Sequence, residues 1–125
     1  MHKYFIYAAY GWLALTGVLH FIIDVVSQYI RGTRAPGLET TLYYGLNSAF
    51  SLGKVAFGLL GLYLAWRAMN LLSEVPVLLL SIAAAFGWLA ITFLFIEYWQ
   101  PKLNAGIFCA LILAAFITRG SQSGI

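Results

Sequence analysis

Two hydrophobic stretches of this 125-residue chain carry a histidine, a carboxylate, an amide and an amine at helical spacing. Thr16, His20, Asp24 and Gln28 recur every four residues in the first, with Gly17 and Ser27 beside them. Asn47, Ser51, Lys54, Gly58 and Gly61 recur at alternating intervals of four and three in the second. Residues three or four apart share a helix face, so each set forms one polar stripe. A charge at the depth of Lys54 costs a few kcal/mol in a bilayer, so it is expected to face protein or water and to have a partner. Asp24 and His20 are the candidates. A histidine, a carboxylate and a lysine held together away from water can exchange a proton. The same groups can hold an anionic headgroup or metabolite, or simply lock two helices together.

Other chemistries find fewer parts. Ser51 could approach His20, yet the sequence contexts of an activated serine are absent. Paired-carboxylate catalysis would rest on Asp24 and Glu97, and Glu97 is expected to lie shallower. A haem with two axial histidines would need His20 and His2, and His2 stands at the end of its stretch. No cofactor or metal is expected. The lone Cys109 sits in an apolar run and reads as a small buried hydrophobe. Phosphate-binding glycine loops are missing, the glycines lying mostly on helix faces.

The elements that must position these residues are set by composition. The chain is 62% hydrophobic and 9% charged, whereas soluble domains carry roughly 25% charged residues. Its mean hydropathy is +0.88. The expected fold is all-α, an integral membrane four-helix bundle with short loops, forming one transmembrane domain over residues 1–125. Four apolar segments divide it, at about 3–30, 41–66, 76–97 and 103–118. The fourth, at about 24 Å, needs local thinning or help from its flanks. The loop at 31–37 is turn-rich and doubly basic. Ser73, Glu74 and Pro76 read as a helix start with Ser73 as its cap. Gln100, Pro101 and Lys102 read as a turn, and Arg119 with Gly120 as a helix end. On the third segment Ala83, Gly87 and Ala90 form a small-residue stripe continuing to Leu94 and Glu97, expected to face the interior. Trp66 and Trp99 suit the membrane interfaces, and Trp88 the packed middle.

Counting along the two antiparallel helices gives depth. Asp24 and Asn47 both lie about 9 Å from the first loop, His20 about 15 Å and Lys54 about 20 Å. The Lys54 amine is expected to reach up to Asp24 along its flexible stem. With Glu97 and Tyr98 on the same side, the polar cluster reads as a funnel opening towards Arg31 and Pro101. Lys3, Arg67 and Arg119 fall on one side of the membrane and Arg31, Arg34 and Lys102 on the other. That balance leaves orientation to the basic start at Lys3, which favours cytoplasmic termini.

The size and four-span layout are similar to small multidrug resistance transporters, which work as dimers through a membrane-embedded glutamate of the first helix. Here the first segment has no glutamate; its acid is Asp24, displaced towards the far end, and a buried lysine is foreign to that pattern. The layout also resembles DoxX-like small membrane proteins, whose first helix Gly17-Val18-Leu19-His20-Phe21 resembles over five residues. The leading functional expectation is an accessory or interaction subunit within the bilayer, offering helix faces to a protein partner or to itself. The alternative is a homo-oligomeric small-molecule or proton carrier using His20, Asp24, Asn47, Ser51, Lys54 and Glu97. A third is a membrane-embedded enzyme acting on a lipid or quinone, against which the residue inventory weighs. A multi-pass protein of a bacterial cytoplasmic membrane fits the small size and short loops. Nucleic acid is excluded, because the seven basic residues form no stripe.

Overall fold

Glycine decides where the first two helices meet. The computed structural model describes residues 2–96 and 99–123, which form α1 (His2–Arg31), α2 (Leu38–Leu72), α3 (Val75–Phe95) and α4 (Trp99–Ser123). A Cβ built on Gly58 would stand 2.6 Å from the Ala14 amide nitrogen and 2.8 Å from the Tyr10 carbonyl oxygen. At Gly17 it would stand 2.8 Å from a Val55 methyl and 3.1 Å from Lys54 Cβ, and at Gly61 it would enter the Tyr10 ring. The backbones of α1 and α2 touch at these points, as small residues permit between apolar helices.

The remaining helices complete a square that is tight on three sides. α1 packs along α2 and α4, α3 packs along α4, and α2 and α3 share little beyond their connection at Ser73–Glu74. One ring from each helix meets at mid-height. Tyr10 lies 5.9 Å from Phe57 and 6.3 Å from Phe108, and Trp88 lies 5.5 Å from Phe57 and 6.1 Å from Phe108. The Tyr10 hydroxyl shares a 2.6 Å hydrogen bond with Ser81 of α3. On one side of this layer Ile6, Leu72, Leu78 and Ile112 fill a closed core. At its far end the buried His2 donates from Nδ1 to the Ala115 carbonyl (2.7 Å) and meets the Ser73 hydroxyl at 2.7 Å. Arg119 donates to the Ser73 carbonyl.

All four helices are long and apolar enough to cross a membrane, which points to a multi-pass membrane protein. Leu80, Leu94, Phe95 and Ile117 are more than two-thirds exposed, a surface suited to hydrocarbon rather than water.

Several boundaries and faces differ from the sequence expectation. α1 ends at Gly32 in the left-handed conformation (φ 61°). The Gly32 and Thr33 amides bond back to Tyr29 and Gln28, a closure that favours glycine. Within α1, Ile22–Val26 forms a π-turn that places one extra residue in the helix. α2 runs past the expected end at 66 through a kink at Ala68 (φ −153°, ψ 60°), because neither glycine nor proline interrupts it before Ser73. Ser73 ends α2 rather than capping α3, whose N-cap is Glu74. α4 starts at Trp99, so Gln100, Pro101 and Lys102 lie in its first turn; proline is tolerated there because that N–H lacks a helical partner. Over Trp99–Arg119, 21 residues, α4 reaches about 31 Å and needs no thinning.

The small-residue stripe of α3 is also reversed. Ala83, Gly87, Ala90 and Leu94 are exposed, and the interior face is Leu78, Ser81, Ala85 and Thr92. Two stripes on this helix are small enough to pack, but only one carries hydroxyls, and Ser81 finds its partner in Tyr10. Glu97, the end of the expected stripe, and Tyr98 lie outside the described residues.

Gly58→Ala should therefore lower stability by roughly 1–3 kcal/mol, since backbone cannot move aside. Gly87→Ala, where a Cβ would meet nothing within 4 Å, should leave the melting temperature unchanged or raised. Thermal unfolding of both variants in detergent micelles checks the pair.

Candidate functional site

Hydrogen-bonding rules determine much of the polar centre. Asn47 Nδ2 donates to the Tyr43 carbonyl one turn earlier (2.9 Å), and a carbonyl only accepts. That turns Asn47 Oδ1 towards His20, where it lies 2.9 Å from Nε2. An amide oxygen also only accepts, so Nε2 carries a proton. The other ring nitrogen, Nδ1, lies 2.8 Å from Asp24 Oδ2. Two lone pairs at that distance would repel, so the contact is attractive only with a second proton between His20 and Asp24. It belongs either to an imidazolium facing a carboxylate or to a carboxylic acid facing a neutral ring.

Local structure holds this chain of groups in place. His20 is the last residue but one of the first α-helical part of α1, and Asp24 lies inside the π-turn. The His20 ring is buried edge-on to Phe50, 5.1 Å between centroids. Above it, Gln28 Nε2 donates to the Tyr43 hydroxyl (3.1 Å) and Arg34 Nε donates to Gln28 Oε1 (3.1 Å). The Arg34 guanidinium stacks 3.4 Å from the Tyr43 ring centroid.

Lys54 is placed differently from the expectation. Among the described residues the one ion pair is His20–Asp24, so Asp24 is engaged by histidine and not by the lysine. Lys54 is 2% exposed, its stem lies against Gly17, and its Nζ sits 5.3 Å from the Phe50 ring centroid. The cause is geometric: Gly17 admits the stem one turn below His20, and Asp24 is already engaged by the His20 ring. Ser51, one turn from Lys54, is also 2% exposed, and its hydroxyl has no hydrogen-bond partner. With both nitrogens of His20 engaged, the ring has none free to activate Ser51. Thr16, also on the stripe, turns its hydroxyl onto the carbonyls of Trp12 and Leu13.

Two clefts flank this centre, both on the side of the first and third loops. The larger, about 830 Å³, lies between α2 and α3 and is bounded by Asn47, Phe50, Trp88 and Phe95, with Arg34 and Tyr43 at the loop end. The smaller, about 530 Å³, lies between α1 and the start of α4 and is bounded by His20, Asp24, Gln28 and Asn104. The His20–Asn47 hydrogen bond thus joins a residue of one cleft to a residue of the other.

The structure brings His20, Asp24 and Asn47 into one bonded chain and sets Ser51 and Lys54 a turn deeper. Glu97 of the expected set lies outside the described residues. Sequence reasoning missed Phe50, Tyr43 and Arg34. Phe50 carries no polar signal, whereas the basic loop residue Arg34 and the helical spacing of Tyr43 and Asn47 were visible. Among the described residues no group of three or more His, Cys, Asp or Glu is arranged to hold a metal ion.

No family model, curated protein or solved structure matches this chain. The two layout resemblances therefore transfer no role to its residues.

A double-mutant cycle on His20→Phe and Asn47→Leu should return a coupling of about 0.5–3 kcal/mol, as for residues sharing one buried hydrogen bond. The comparison is thermal or denaturant unfolding in the same micelle. Additive effects would mean the bond is not formed.

Proposed function

We propose that this chain is a small membrane carrier that assembles with further copies of itself and exchanges a proton at the His20–Asp24 pair. The observation that carries this reading is the 2.8 Å contact of His20 Nδ1 with Asp24 Oδ2 while Nε2 faces the Asn47 amide oxygen. While that proton is present the 2.8 Å contact is attractive. When it leaves, a carboxylate faces a ring lone pair and the contact opens. Protonation is thereby coupled to the position of the π-turn, an element with room to change because its helical bonding is already irregular. The smaller cleft gives water or a small solute access to the pair, and the larger reaches Asn47, which is bonded to it. Lys54 stands behind Phe50 from His20 and is the one further charged group described beside it. A bundle of four helices is thin for a path of its own, which is why self-association belongs to the proposal.

Short loops and the basic start at Lys3 support a bacterial cytoplasmic membrane with cytoplasmic termini.

A second reading, an accessory subunit of a larger assembly, is favoured by one observation. Ala83, Gly87 and Ala90 form an outward stripe on α3 without bulky side chains, which would let a partner helix approach closely.

One experiment separates the two. Purified protein is reconstituted in vesicles containing a pH-sensitive dye, and an imposed pH gradient is followed in wild type, His20→Phe and Asp24→Asn. Faster collapse in wild type, lost in both folded variants, is the expected result. Unchanged collapse in Asp24→Asn removes the pair from the mechanism. Inert wild-type vesicles, together with a stoichiometric second protein retained from native membranes, would establish the accessory reading.

A further inference from the structure

We propose that the cleft between α2 and α3 binds an amphiphilic anion, a carboxylate or phosphate head on an aliphatic chain, with Lys54 and Ser51 receiving the head. The polar groups of this level are satisfied inside the protein with two exceptions. His20 uses Asp24 and Asn47, Asn47 uses the Tyr43 carbonyl, and Thr16 uses its own helix. The exceptions are the Lys54 amine, which has no described carboxylate within 4 Å, and the Ser51 hydroxyl, which has no partner. They are three residues apart on one helix face and both are 98% removed from solvent. A cation left alone at such depth is costly. An ammonium beside a hydroxyl donor is the complement of an oxyanion.

The cleft defines the rest of the ligand. Its walls, Leu46, Phe50, Trp88, Ile91 and Phe95, are apolar, and its volume of about 830 Å³ falls in the range of small-molecule sites. A head without a chain would leave those walls uncovered; a chain without a charge would leave Lys54 uncompensated. Phe50 both lines the cleft and has Lys54 Nζ 5.3 Å from its ring centroid. Lys54 and Ser51 do not line the cleft as it stands, so seating the head requires the Phe50 side chain to turn about its Cα–Cβ bond. Arg34 at the loop end offers the head a first cation on entry. This site stands on Lys54 and the cleft and holds whether or not His20 passes a proton.

The test measures thermal unfolding of the full chain in dodecyl maltoside with increasing oleate, oleyl phosphate, dioleoylphosphatidylglycerol or the neutral oleyl alcohol. Ligands that bind the folded state raise the melting temperature in proportion to affinity and concentration. Wild type should respond to the anions at lower concentration than to the alcohol. Lys54→Met should weaken the anion response about ten- to a hundredfold and leave the alcohol response in place. A response to the single-chain anions identifies a free amphiphile as the source, and a response confined to the phosphatidylglycerol identifies a bilayer lipid. No preference for anions in wild type, or the same preference in Lys54→Met, overturns the proposal. So does a preference lost in Arg34→Gln but kept in Lys54→Met, which would seat the head at the mouth. Lys54→Met without ligand should unfold at or above the wild-type temperature, and marked destabilisation would reveal a partner for Lys54 within the fold and overturn the proposal equally.

Discussion

Backbone contact between α1 and α2 is the constraint on which the polar centre depends. With Gly58 seated on the Ala14 amide and Gly17 on Val55, the two helices cannot slide along each other without driving backbone into side chain. Their register is consequently set by hard contacts that involve no polar group. The make-up of the polar centre is then a matter of position along two fixed rods. Asn47 arrives opposite His20, Lys54 arrives below it beside Gly17, and Phe50 fills the space between their heads. A hydrogen bond of about 1 kcal/mol net could not impose such a register alone; it needs the glycine contacts to bring its ends together.

How much of this could be read beforehand follows from which forces leave a periodic trace. Polar residues are rare in an apolar background, so the stripes of His20, Asp24, Asn47 and Lys54 stood out, and the short first loop made their helices antiparallel neighbours. Depth by counting was good to one turn: it set Asn47 level with Asp24, one turn from its observed partner His20, and did not decide which group Asp24 meets. That choice depended on the π-turn, which rearranges backbone hydrogen bonds and has no side-chain signature. On α3 the apolar background itself hid the answer. Its two small-residue stripes are alike in hydrophobicity, and the interior one was chosen by Ser81 finding Tyr10 across the bundle. Proline at 101 misled for a related reason, since it breaks a helix interior and starts one equally well.

Buried polar groups in this protein fall into two kinds. Those at the closed end, His2 with Ser73 and Ala115, join helix ends and connection and leave no room around themselves. At the open end His20, Asp24 and Asn47 border cavities, and Lys54 and Ser51, a turn deeper, lack partners among the described residues. A fold that needed polar groups only for cohesion would satisfy all of them, because each orphaned group costs stability. The proposed ligand and proton chemistry lies at the end where buried polar groups lack partners.

The four-ring layer of Tyr10, Phe57, Trp88 and Phe108 gives the molecule a polarity along its axis. Below it the bundle is solid; above it α2 and α3 stand apart like the arms of tongs joined at Ser73–Glu74. A single copy is thus a cup rather than a tube. Its clefts lie at the mouth, and the four rings stand between them and the closed end.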